Sequence, residues 1–157
     1  MFESIEGIRE KRAVPPLRES LGFVLNVAGR QLKRLLEQRL DEHGLTGTQY
    51  VTLWALWESS EPLPLTQLSK RLCIDNPTMS GIVDRMVRDG FVERAQDTND
   101  RRITYIRPTA KGIELWESIG GIGEEIDRDT ACNVDPALFA QFMNFLGRIT
   151  RSDHEDK

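Results

Sequence analysis

LTQLSKRLCIDNPTMSGIVDRMVRDGFVERAQDTNDRRITYIRPT, residues 65–109, is the stretch on which the fold turns. Leu65, Leu68 and Leu72 share one face of a short helix over about 65–72. Asn76-Pro77 then starts a second helix, with Asn as a favoured N-cap and Pro at the first helical position. Met79, Ile82, Val83, Met86 and Val87 recur at helical spacing and predict a buried stripe. The opposite face carries Thr78, Ser80, Gly81, Asp84, Arg85 and Arg88, and Asp89-Gly90 closes the helix. The period then changes. Residues 91–94 and 103–107 are β-branched and aromatic runs around a polar loop, 96–102, which predicts a hairpin with a charged tip. Two short helices, a tight turn and a hairpin describe a helix-turn-helix with a wing.

Outward from this centre the signals are mostly helical. Phe2, Ile5 and Ile8 suggest a short arm ended by Pro15-Pro16. From Leu17 to about Asp41, Leu21, Val24, Leu25, Ala28, Leu32, Leu35, Leu36 and Leu40 recur at steps of three and four. One amphipathic helix of about 25 residues is expected, against a mean of ~11–12, with Gly44 as its stop. Thr46 and Gln49 form a capping box, Leu45 and Tyr50 a hydrophobic staple, and the helix continues through Val51, Leu53, Trp54, Leu56 and Trp57 until Pro62 and Pro64 break it. Beyond the hairpin, Pro108-Thr109 starts a helix with Ile113, Trp116, Ile119, Ile122 and Ile126 on one face. Gly120, Gly121 and Gly123 interrupt it at ~1 kcal/mol each relative to alanine, which suggests a bend or a close helix contact. Asp135-Pro136 starts the last helix, which is expected to bury Leu138, Phe142, Phe145, Leu146 and Ile149.

The expected order is α-α-α-α-β-β-α-α, a mainly α fold with a small β-hairpin: a winged helix-turn-helix with long N- and C-terminal helices. The domain reading is an arm over 1–16, a winged helix-turn-helix over 46–108, a helical region over 17–45 and 109–151, and a tail over 152–157.

Composition narrows the function. The chain has 157 residues, two cysteines, two histidines and a net charge of -4. No apolar run approaches the ~18–20 residues needed to span a bilayer, and the first residues lack the apolar core of a secretory signal. A cytoplasmic protein with reduced thiols is expected. Cys73, Cys132, His43 and His154 do not form a metal-ligand pattern, and no serine or cysteine has a plausible histidine partner, so neither a metal or other cofactor nor an enzyme is expected. The acidic total conceals an uneven distribution: residues 1–64 carry -1, residues 65–107 carry +2 and residues 108–157 carry -5. The winged segment alone is basic.

In a helix-turn-helix the second helix enters the major groove with its N-terminal residues facing base edges. Thr78, Ser80 and Gly81 beside Pro77 are small enough for close approach, and Thr and Ser hydrogen-bond to several base edges. Arg85 and Arg88 fall one and two turns on, where phosphates would lie. Arg101 and Arg102 at the tip suit a narrow minor groove, and Asp100 is expected to shape the tip by pairing with an arginine. Double-stranded DNA is the expected partner. The alternative is a winged helix that binds protein only.

The stretches LTGTQYVTLWAL (45–56), LTQLSKRLCIDNPTMSGIVDRMVRDGFVER (65–94) and DTNDRRITYIRPTAKG (97–112) resemble the MarR family of bacterial transcription regulators. The family's wing motif maps to Asp97, Asp100, Arg101 and Arg102, with Pro108 a departure where an apolar residue is usual. The resemblance implies an obligate homodimer with the first and last helices interwoven and a near-palindromic operator. The long first helix and the aromatic last helix point independently to a dimer. The resemblance also implies a repressor released by a small aromatic or anionic effector, in a pocket that by position would involve Phe23, Val27, Arg30, Tyr50, Trp54 and Trp57. Taken singly, Trp54 and Trp57 read more readily as ordinary core, and Arg30 as a solvated helix charge. Some relatives sense oxidants through a cysteine near the start of the first helix; here there is none, and Cys73 is expected on a buried face, which disfavours a redox switch.

Overall fold

The computed structural model describes residues 16–98 and 100–151. The arm expected over residues 2–12 and the tail over 152–157 lie outside the described residues. The chain divides into two compact units, one ending at Gly47 and the other beginning at Thr48.

In the first unit a 3-10 turn, Leu17–Glu19, precedes helix α1, Leu21–Leu40, and a second 3-10 turn, Asp41–His43, follows it. The expected unbroken helix of about 25 residues is thus a 20-residue helix between two tight turns. Ser20 is the reason: its backbone is extended, and its carbonyl accepts the Val24 N–H at 2.9 Å to begin a new helix. Gly44, at φ 65°, ends the segment in the left-handed conformation that glycine adopts without penalty.

The second unit holds α2 (Gly47–Trp57, whose first residue closes the other unit), β1 (Leu63–Pro64), α3 (Leu65–Arg71), α4 (Asn76–Arg88), β2 (Val92–Gln96), β3 (Thr104–Pro108), α5 (Ala110–Ile119), α6 (Ile122–Ala131) and α7 (Pro136–Arg151). The mainly helical winged fold is as expected. Helix α2 begins one residue past Thr46, and Leu45 and Tyr50 are both buried. Leu53, Leu56, Leu68, Met79, Ile82, Val83, Met86, Val92 and Ile106 form the core on which the wing is mounted. Among the described residues every buried side-chain polar atom has a hydrogen-bond partner.

Several expectations are corrected. The sheet has three strands, in the order β1-β3-β2, because Leu63 and Pro64 pair antiparallel with Ile106 and Tyr105. The prolines that end α2 also sit in or beside an edge strand, where a missing N–H is tolerated. The wing strands run one or two residues later than expected, in register from Val92↔Pro108 to Gln96↔Thr104. Pro108 therefore closes the ladder. The N-cap of α4 is Asp75 rather than Asn76: its carboxylate accepts the Thr78 N–H at 2.9 Å. A negative charge there also complements the positive helix end.

Cys73 is exposed, not buried. It takes φ 52° at the end of α3, where Cys73 N–H reaches Lys70 O and Ile74 N–H reaches Ser69 O. That reversal is a Schellman turn with cysteine in the position glycine usually holds, and it swings the thiol out of the core. Gly90, at φ 77°, closes α4 with the same pattern through Val87 O and Met86 O.

The helix expected from Thr109 onward is two helices, broken at Gly120 and Gly121. Thr109 caps the first by accepting the Gly112 N–H at 3.1 Å. Helix α7 is capped at Asp135, which accepts from Ala137 and Leu138 at 2.9 and 3.0 Å. Its apolar stripe is not buried: Leu138, Phe142, Met143, Phe145 and Ile149 are 36–59% exposed in the single chain. Among the described residues that face is left largely open.

Candidate nucleic-acid interface and aromatic cluster

The stripe Met79, Ile82, Val83 and Met86 anchors α4 in the core and turns its other side outward. Pro77, Thr78, Arg85 and Arg88 are exposed there, and Ser80 and Gly81 are half-buried. The Asp75 carboxyl lies below its ordinary range because the Thr78 backbone N–H, and then the Thr78 side chain, bond to it. A Cβ added at Gly81 would meet nothing within 4 Å, so no neighbour in the described chain requires glycine there. The hairpin is tied to this helix by Arg94. Its Nη2 donates to Asp84 Oδ1 at 2.8 Å, Ser80 Oγ at 3.1 Å and Ser80 O at 3.2 Å.

At the tip, Asp97 Oδ1 accepts the Asp100 N–H at 2.9 Å. Asp100 in turn receives the Arg102 guanidinium through Nε at 3.0 Å and Nη2 at 2.9 Å, together with the Arg102 N–H at 3.0 Å. The pairing expected for Asp100 is present. It holds the Asp100 carboxyl below its usual range and raises Arg102. Arg102 remains 90% exposed, so the pair shapes the tip without withdrawing the cation from solvent. Arg85, Arg88 and Arg101 make no ion pair among the described residues.

Tyr50, Trp54, Trp57 and Trp116 converge on one aromatic cluster. Trp116 is its hub, with ring centroids 5.4 Å from Tyr50, 6.1 Å from Trp54 and 6.2 Å from Trp57. Tyr50 is 1% exposed, and its hydroxyl spans the break between α5 and α6. It donates to Gly120 O at 3.2 Å and accepts the Gly123 N–H at 3.0 Å. The glycines now have a reason. A Cβ at Gly123 would lie 3.0 Å from the Tyr50 hydroxyl and 3.1 Å from the Trp54 ring, and one at Gly120 would lie 3.0 Å from Trp116. Trp57 is 49% exposed and lines an open cavity of about 400 Å³ with Pro62, Arg107, Pro108 and Ile113. Phe23, Val27 and Arg30 share one face of α1 in the other unit; Val27 is half-buried and the other two exposed.

The family model of MarR matches residues 45–104. The organic hydroperoxide resistance transcriptional regulator of Bacillus subtilis is 30% identical over 101 residues, covering 64% of this chain and 68% of that protein. The chain belongs to the MarR family. It is a DNA-binding transcriptional regulator with a winged helix, and its relatives are of a non-enzymatic class. Two solved structures show the same fold. The MepR–DNA complex of S. aureus has a TM-score of 0.79 at 22% identity, covering 85% of this chain and 98% of that one. CouR of Rhodococcus jostii RHA1, bound to p-coumaroyl-CoA, has a TM-score of 0.79 at 22% identity, covering 87% and 96%. No described helix of this MarR-family protein is long and apolar enough to cross a membrane.

Three contributors escaped sequence reasoning: Arg94, Asp84 as its partner, and Trp116 as the hub of the cluster. A basic residue within an otherwise β-forming run was the one available sign of the first.

Tyr50→Phe is expected to lower stability by about 1–3 kcal/mol, since the Gly123 N–H and Gly120 carbonyl lose their partner. Burial pushes the Tyr50 phenol above its ordinary 10.0, and the charges of Asp127 and Glu124 add to this against the Gly123 bond. The folded state therefore holds this proton more tightly than the unfolded state. Its contribution is whole below pH 10.0 and is lost as pH rises further. Denaturation curves across the alkaline range should show that loss in the wild type and its absence in Tyr50→Phe.

Proposed function

We propose that the protein is a cytoplasmic homodimeric repressor that binds a near-palindromic operator and leaves it on binding a small aromatic or anionic effector. The observation that carries the DNA contacts is the outward face of α4. It combines Pro77, Thr78, Ser80 and open space at Gly81 with Arg85 and Arg88, which make no ion pair among the described residues. The Asp100–Arg102 tip extends it at the wing, with Arg101, which makes no ion pair among the described residues. Major-groove reading by the helix and minor-groove contact by the tip follow from these shapes.

The domain reading stands as part of this proposal, with 46–108 as the DNA-binding domain and 17–45 with 109–151 as the dimer body. The exposed apolar stripe of α7 supports the dimer, as do Leu21, Val24, Leu32 and Leu35, exposed on α1. A two-fold dimer presents two recognition helices to successive major grooves, which is the reason for a near-palindrome. The effector is assigned to the aromatic walls of Trp54 and Trp57 beside Tyr50; Phe23, Val27 and Arg30 remain candidates on α1 of the first unit. The p-coumaroyl-CoA of CouR is a ligand of the same chemical class.

The test joins sedimentation with gel shifts on fragments selected from the source genome. The wild type should be dimeric and lose affinity steeply with salt, as released counterions require. Phe142→Glu should give monomers and weaken DNA binding by about tenfold or more, because one half-site contact is lost with the partner. A wild-type monomer, or binding indifferent to salt, overturns the proposal. Salt-indifferent binding to another protein would favour the interaction module. Release by peroxide with modification of the exposed Cys73 would favour a redox regulator.

A further inference from the structure

The contact between Arg94 and Ser80 constrains more than the position of the wing. One guanidinium nitrogen carries two hydrogens and faces three acceptors: Asp84 Oδ1 at 2.8 Å, Ser80 Oγ at 3.1 Å and Ser80 O at 3.2 Å. The shortest takes one hydrogen and the two Ser80 oxygens share the other. A free serine hydroxyl rotates and offers either a donor or a lone pair. Here a cation sits on a lone pair, so the hydroxyl dipole turns its hydrogen away from Arg94. Ser80 is half-buried, and its O–H makes no bond among the described residues.

We propose that Arg94 is a specificity-determining positioning residue that makes Ser80 a hydrogen-bond donor toward DNA. The inference rests on the reading of α4 as the recognition helix. In the major groove, guanine presents O6 and N7 and thymine presents O4, all acceptors. Adenine and cytosine present amino groups at N6 and N4. A serine with one lone pair engaged by Arg94 and its hydrogen turned away from it favours the keto bases, guanine or thymine, at the position it faces over an amino group. The same guanidinium neutralises the exposed Asp84, whose carboxylate on the recognition helix would otherwise repel phosphate.

The experiment is selection of bound duplexes from a random pool at fixed salt, using the full-length wild type, Ser80→Ala, Arg94→Met and Arg94→Lys. Thermal unfolding and sedimentation confirm that each variant is folded and has the wild-type oligomeric state. Wild type should select guanine or thymine at one position per half-site. Ser80→Ala and Arg94→Met should each reduce that preference about fivefold, the worth of one net hydrogen bond, while other positions keep their preferences. Arg94→Lys, which keeps a cationic donor, should retain most of it. The inference is overturned if Arg94→Met leaves the Ser80-dependent position unchanged. It is equally overturned if all positions flatten together, as a purely structural role predicts, or if that position favours an amino base. If the wild type selects no duplex at all, the reading of α4 fails instead, and the two failures are thereby told apart.

Discussion

Gly112→Ala is expected to destabilise the protein by about 3 kcal/mol or more, the upper range for overpacking a tight contact. A Cβ at this position would lie 2.0 Å from the Phe91 carbonyl oxygen and 3.0 Å from its carbon. Both are backbone atoms, so no side-chain rotation relieves the clash. The backbone cannot easily retreat, because several bonds meet at this junction. Thr109 N–H donates to Phe91 O at 3.0 Å, Thr109 Oγ1 donates to Gly90 O at 2.6 Å, and Gly112 N–H donates to Thr109 Oγ1 at 3.1 Å. They lock the start of α5 to the turn that ends α4 and begins β2. At ~2–4 °C per kcal/mol for a chain of this size, the melting temperature should fall by roughly 6–12 °C. Gly121→Ala is the control, since a Cβ there meets nothing within 4 Å. Thermal and denaturant unfolding of both variants provide the check. A Gly112→Ala protein as stable as Gly121→Ala would show that the junction yields without strain. The function should suffer as well, because the same junction aims the recognition helix and the wing.

Arg101→Ala is expected to lower operator affinity by about a hundredfold for a dimer, or about tenfold per protomer, as for loss of a charged hydrogen bond. The two tip arginines are not equivalent. Arg102 is committed to Asp100 through two guanidinium bonds and a backbone bond, so the local charges of that pair cancel. Arg101 makes no ion pair among the described residues. The salt slope should fall by about two for Arg101→Ala, one per wing. Arg102→Ala should have a smaller effect on the slope and act chiefly by loosening the tip. Gel-shift titrations at several salt concentrations separate these outcomes, and an Arg102→Ala loss exceeding that of Arg101→Ala would refute the assignment. The tip pairing should not titrate near neutrality. The Asp100 carboxyl is held below its ordinary 3.8, so its contribution is present above that value and is lost only as pH falls through the lowered one.

The sequence by itself determined the elements whose signals are local. Helical stripes, proline and glycine punctuation and capping residues act within about four residues, and a change to β-branched alternation marks a strand without reference to a partner. The helix-turn-helix, the hairpin and the exposed residues of α4 were legible for that reason, as was the Asp100–arginine pairing, whose partners stand two residues apart. Where two local rules competed, sequence chose less well: Asn76 before Pro77 satisfied the capping preference, but the carboxylate of Asp75 reaches the Thr78 N–H.

Only the tertiary structure decided what distant residues do to one another. Leu63 and Pro64 become a strand because β3 lies beside them. Arg94 meets Ser80 across 14 residues, and Tyr50 meets Gly123 across 73. The three glycines that looked like a helix defect separate into two that make room for the aromatic cluster and one that does not. Cys73 and the stripe of α7 were read as buried from periodicity, which identifies an apolar face and says nothing of what covers it. A turn carried the first outward, and the second is left exposed among the described residues. Periodicity acts over single turns of backbone, whereas coverage depends on how separate elements pack, and that information is not local.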